Sequence, residues 1–225
     1  MAKGLKPRTL VETLDQKVLS EEEREEFIRS LITHDVRYKI ICLLAKHGAM
    51  NSGRLFKILA EKAPELIPKK GKPFRHIADL IDSGLITTQR AGREAIYEIN
   101  RGMIERFLQT LQTDFPEPST AALKPKKQKF LNSQDLKRAL FTLAQRDNYT
   151  SIRALYSHPA ILTAQEIIKI TKASYNHVNN ALIESWLAGF LNREILRHNS
   201  YRPDYRKIPA LIATLRRDLR MPNEE

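Results

Sequence analysis

The chain has 225 residues, with 38 Lys and Arg against 26 Asp and Glu, a net charge of +12 and a pI near 9.8. That balance points to an anionic partner, nucleic acid ahead of a membrane surface or an acidic protein. One cysteine, Cys42, excludes an intrachain disulfide, and no apolar run reaches the ~20 residues of a membrane span.

Residues 1–19 are mixed and basic and predict a loose arm without the apolar core of a secretory signal. Ser20-Glu21-Glu22-Glu23 is a capping box, Ser20 as N-cap and Glu23 at the third helical position, and Phe27, Ile28, Leu31 and Ile32 give that helix its apolar face. A second helix opens around Asp35 with Ile40, Ile41, Leu43 and Leu44 inward and Cys42 as a small filler. Asn51-Ser52 caps a third, with Leu55, Phe56, Ile58 and Leu59 inward. Pro64 to Pro73 is a long turn carrying Lys69, Lys70 and Lys72. Ile77, Leu80 and Ile81 then mark a helix stopped by Ser83-Gly84. Leu85-Ile86 and Ile96 to Ile99 bracket Arg90-Ala91-Gly92-Arg93, a small hairpin with cations at its tip. Asn100 caps a last helix through Met103, Ile104, Phe107, Leu108 and Leu111.

Residues 114–130, with Pro116, Pro118, Pro125 and four lysines, predict a Pro/Lys linker. The order then repeats. Asn132-Ser133 starts a helix through Leu136, Leu140, Phe141 and Leu143, and a second runs from Tyr149 to Tyr156. Thr163 to Glu166 is another capping box, leading Ile167, Ile168 and Ile170. Ser174 caps a helix with Val178, Ala181, Leu182, Ser185 and Trp186 inward, and Gly189 is its exit. Strands at Ile195-Leu196 and Tyr205 to Ile208 are expected to flank a long loop, Arg197 to Asp204, before a closing helix with Pro209 in its first turn.

Residues 1–113 carry 20 basic and 15 acidic residues, and residues 131–225 carry 14 and 9. Both halves are therefore basic, as two nucleic-acid modules would be. Arg37 to Leu44, the Leu55 helix, Arg75-His76-Ile77, Ser83 to Ile86 and the hairpin ending at Tyr97 together resemble the ArsR-type winged-helix repressors over roughly residues 27–112. Residues 133–217 resemble a second, more divergent winged helix of the ArsR/MarR sort. The long turn before the helix of Ile77, Leu80 and Ile81 departs from the family pattern, and the Cys-x-Cys or Asp/His metal ligands of its sensors are absent.

The expected fold is mainly α with small β-hairpin wings, in two tandem winged helix-turn-helix domains. Their expected boundaries are an arm at 1–19, a domain at 20–113, a linker at 114–130 and a domain at 131–220. The resemblance implies double-stranded DNA as partner, a recognition helix in the major groove, and a homodimer through helices 20–32 and 101–112; the two modules of one chain imitating a dimer is the alternative. Lys70, Lys72, Arg75 and His76 are the candidate DNA-contacting residues of the first helix. Ser174, Tyr175, Asn176, His177, Asn179 and Asn180 are those of the second. Arg can pair with guanine and Asn with adenine through two hydrogen bonds. Arg90, Arg93, Arg193, Arg197 and Arg202 on the wings suit phosphate or minor-groove contact.

The six histidines show no HxxxH or HExxH spacing, and no nucleophile motif or Gly-rich phosphate loop is visible. No enzyme, metal site or cofactor is expected, and the expected location is cytoplasmic, at the nucleoid. The function so implied is a sequence-specific transcriptional regulator, repressor-like. A plasmid or phage replication initiator and a winged-helix protein-docking module are the alternatives.

Overall fold

The computed structural model describes residues 18–67, 74–116, 130–158, 160–196 and 198–222. Among them lie α1 (Glu21–Ile32), α2 (Asp35–His47), β1 (Met50–Asn51), α3 (Ser52–Lys62), α4 (Phe74–Asp82), β2 (Ile86–Ala91), β3 (Glu94–Ile99) and α5 (Arg101–Asp114). The second half follows with α6 (Ser133–Ala144), α7 (Arg146–Tyr156), β4 (Leu162–Thr163), α8 (Ala164–Thr171), α9 (Tyr175–Leu187), β5 (Leu191–Leu196), β6 (His198–Pro203) and α10 (Lys207–Asp218). The protein is thus mainly helical with two three-stranded antiparallel sheets, ordered β1-β3-β2 and β4-β6-β5.

The repeat extends to single hydrogen bonds. Ser20 and Asn132 both accept from the third helical amide of their helices. Leu19 N–H donates to Thr110 Oγ1, and Leu131 N–H to Thr214 Oγ1, each at 2.8 Å. At the ends of α4 and α9 the same pair of bonds closes the helix: Leu85 N–H to Leu80 O with Gly84 N–H to Ile81 O, and Phe190 N–H to Ser185 O with Gly189 N–H to Trp186 O. Gly84 and Gly189 supply the positive φ this needs, 73° and 79°.

The two halves pack on each other through equivalent elements, α1 on α6 and α5 on α10. Contacts across this interface come in matched pairs, the mark of a two-fold arrangement. Tyr38 of α2 donates to Asp218 at the end of α10 (2.9 Å), and Tyr149 of α7 donates to Asp114 at the end of α5 (2.6 Å). Asp35 of α2 pairs with Lys137 of α6, and Arg146 of α7 pairs with Glu21 of α1. Buried Arg24 lies 3.4 Å above the centre of the Tyr149 ring, and Arg216 bridges to Glu105.

Several expectations change. Helices 20–32 and 101–112 are not left open for a homodimer; α6, α7 and α10 of the same chain cover them. Residues 114–116 are not linker, since Asp114 ends α5 and Phe115 is buried edge-on against Tyr149 and Tyr156. Residues 117–129 of the expected linker and 1–17 of the N-terminal arm lie outside the described residues, but Leu19 is already buried. The second hairpin is tight, Leu196 pairing with His198, and the expected strand Tyr205 to Ile208 is instead a turn at Tyr205-Arg206 followed by the first residues of α10. The short third strands β1 and β4 carried no signal of their own, being two residues each. Trp186, expected inward, is 40% exposed, and Phe141 and Ile170, named among the apolar residues of their helices, are 57% and 40% exposed.

Candidate nucleic-acid interface

Each half presents one helix and one hairpin outward. In the first, Ile77 and Leu80 anchor α4, which packs against α2 and leads into β2. That leaves Arg75 exposed near the start of α4. His76 is half-buried, its ring edge-on to His34 at 4.9 Å and its Nδ1 buried without a partner. Burial, reinforced by His34 and Arg37, holds its pKa below the ordinary imidazole value, so the ring stays neutral and adds no charge at neutral pH. Asp79 is paired with Arg37, which removes a carboxylate that would repel phosphate. Lys70 and Lys72 lie outside the described residues.

The β2–β3 hairpin turns at Gly92 (φ 64°) and Arg93, between the paired Ala91 and Glu94, which is the two-residue turn with glycine first. Arg93 sits at the tip and Arg90 one step below it, opposite Ala95, and both are exposed. The strand above Ile86 is exposed along its whole length, so this hairpin projects from the body.

In the second half α9 is anchored by Val178, Ala181, Leu182 and Ser185. Ser174 caps it, accepting from His177 N–H. Tyr175, Asn176, His177 and Asn180 are exposed and Asn179 half-exposed, so the six residues singled out from sequence form one continuous polar surface over the first turns. His177 Nδ1 lies 3.6 Å from Asp147 of α7. On the hairpin, Arg193 and Arg202 are exposed but sit near its base, opposite Tyr201 and Asn192. Arg193 lies over Trp186, 5.7 Å from the ring centre. Arg197 lies outside the described residues. Sequence reasoning missed the exposed Ile183 and Leu187 that continue the α9 surface beyond its asparagines; their distance from the stripe of Val178, Leu182 and Ser185 was the available signal.

The positive charge is unevenly placed. Arg24, Arg146, Arg153 and Arg216 join the halves to each other. Arg75, Arg90 and Arg93 face solvent. Among the described residues no three His, Cys, Asp or Glu side chains gather as a metal site requires, and no helix is long and apolar enough to cross a membrane. Comparisons with protein-family models, curated protein sequences and solved structures find no match for this chain.

Proposed function

We propose that each half is a winged helix-turn-helix unit and that the chain binds double-stranded DNA as a sequence-specific transcriptional regulator of the repressor kind, working as a one-chain imitation of a dimer. The observation that carries this is the repetition of α3–α4–hairpin as α8–α9–hairpin about an isologous interface, with an exposed polar helix face in each copy. In this reading α4 and α9 enter major grooves, while Arg90 and Arg93 meet backbone phosphates or an adjacent minor groove. The reading needs no metal, cofactor or catalytic group.

Binding of the full chain to a pool of random duplexes, followed against salt, tests it. The expected result is a one-chain complex whose affinity falls as roughly the 0.9 power of the salt concentration for each phosphate neutralised. Absence of duplex binding at low salt would overturn the reading. Complexes that always need two chains would remove the one-chain imitation of a dimer.

A further inference from the structure

The outward face of α9 differs in kind from that of α4. Asn176, Asn180, Ile183 and Leu187 stand at i, i+4, i+7 and i+11, so they form one stripe, and all four are exposed. The buried Val178, Leu182 and Ser185 lie on the other side. Among the described residues neither Asn176 nor Asn180 makes a side-chain hydrogen bond. α9 contains no Lys or Arg, and its one acidic residue, Glu184, accepts from Asn148 at 2.6 Å. Counting back from the equivalent glycines Gly84 and Gly189, Arg75 takes the place of Asn180, Ala78 that of Ile183 and Asp82 that of Leu187. All three α4 residues are exposed as well.

The donor and acceptor code of the major groove turns this difference into a preference. Guanine is read by a cation that donates to its O6 and N7, and α9 has none. Adenine is read by an amide that donates to N7 and accepts from N6, which Asn180 and Asn176 supply. The methyl group of thymine wants an apolar contact, which Ile183 supplies at 38% exposure. From Asn176 to Ile183 the helix rises about 10 Å, close to the rise of three base pairs.

We infer that the DNA recognised by this protein is a two-part site with unlike halves: A·T pairs under α9, read by Asn176, Asn180 and Ile183, and a G·C pair under α4, read by Arg75. This rests on the proposal above that both helices enter major grooves. A homodimer of identical helices selects a palindrome. Here the interface is pseudo-symmetric while the reading faces are not, so the preferred site is not palindromic.

Selection from a random duplex pool with the full chain, followed by binding of the selected site, tests the inference. The variants are Asn180→Ala, Ile183→Ala and Arg75→Ala, all at exposed positions. The wild type should select adjacent A·T pairs in one half and a guanine in the other. Asn180→Ala should lose the preference at one A·T pair, and the selected site should weaken by about 5-fold to 150-fold while unselected duplex binds as before. Replacing the selected thymines by deoxyuridine should weaken the wild type and leave Ile183→Ala unaffected. Arg75→Ala should relax the guanine alone. Selection of a palindrome, or equal weakening of all duplexes by Asn180→Ala, overturns the inference and leaves the DNA-binding reading standing. If the wild type binds no duplex at all, both fall.

Discussion

Replacing Tyr149 by Phe tests how the two halves are held together. Tyr149 is 2% exposed and its hydroxyl donates to Asp114 Oδ2 at 2.6 Å. The Asp114 carboxylate is itself 12% exposed, and its second oxygen pairs with Arg153 at 3.1 Å. Phe keeps the ring, so the Arg24 stack and the edge contact with Phe115 survive. What is lost is one hydrogen bond to a charged acceptor in a nearly dry interface, worth about 1.5–3 kcal/mol. For a chain of this size that corresponds to a fall in Tm of roughly 3–12 °C. Tyr38→Phe removes the symmetry-related bond, which is longer at 2.9 Å and ends on Asp218, 24% exposed, so its effect should be smaller, about 1 kcal/mol. Urea and thermal unfolding of the full chain, followed by circular dichroism, give both values. The reasoning is refuted if Tyr149→Phe lies within about 0.5 kcal/mol of wild type. It is also refuted if the halves unfold in two separate steps and Tyr149→Phe moves only the second.

Two further outcomes follow from the same packing. Burial, reinforced by nearby carboxylates, keeps the Tyr38, Tyr149 and Tyr156 phenols protonated well above their usual range, and burial pushes the Cys42 thiol up to about 12. The unfolded chain releases these protons near pH 9–10 and the folded chain keeps them, so stability is whole below about pH 9 and falls as the pH rises, by about 1.4 kcal/mol per unit for each group. The phenolate absorbance of these three tyrosines, read as the difference between wild type and the Tyr38→Phe, Tyr149→Phe and Tyr156→Phe variants, should therefore appear only together with loss of helicity in an alkaline titration; that difference appearing with the helices intact would refute this. Gly189→Ala should cost about 1–2 kcal/mol through its φ of 79°, because the new Cβ meets Lys207 Nζ only at an ordinary 3.5 Å. Gly102→Ala, in exposed helical backbone of α5, should instead stabilise by about 0.5–1 kcal/mol, and chemical unfolding of the pair distinguishes the two signs.

Local features were legible where one short stretch contains the whole cause. Both capping boxes, the Asn51, Asn100 and Ser174 caps and the glycine exits of α4 and α9 need only neighbours within a turn of helix. The polar surface from Ser174 to Asn180 was visible for the same reason, since its residues share consecutive turns of one helix. Three kinds of feature were not legible. The Leu191–Leu196 strand pairs with His198–Pro203 because Tyr201 is buried opposite Arg193, a choice of register between strands of mixed polarity. Trp186 was read as core from its spacing, yet it meets solvent because the buried stripe of α9 runs through Val178, Leu182 and Ser185 instead. Phe115 was assigned to a linker on the prolines after it, but the aromatic pocket that receives it lies in the other half.

By itself the sequence determined the basic character of both halves, the helices, their caps and the order in which they recur. Those follow from composition, periodicity and residues a few positions apart. Only the tertiary structure decided that the copies meet face to face, Tyr38 on Asp218 and Tyr149 on Asp114, so that the surfaces expected to pair two chains are closed within one. The partners in the first of those bonds are 180 residues apart and in the second 35, and no local pattern links them. Burial against the other half is what makes each pairing favourable, and burial exists only once both halves are folded.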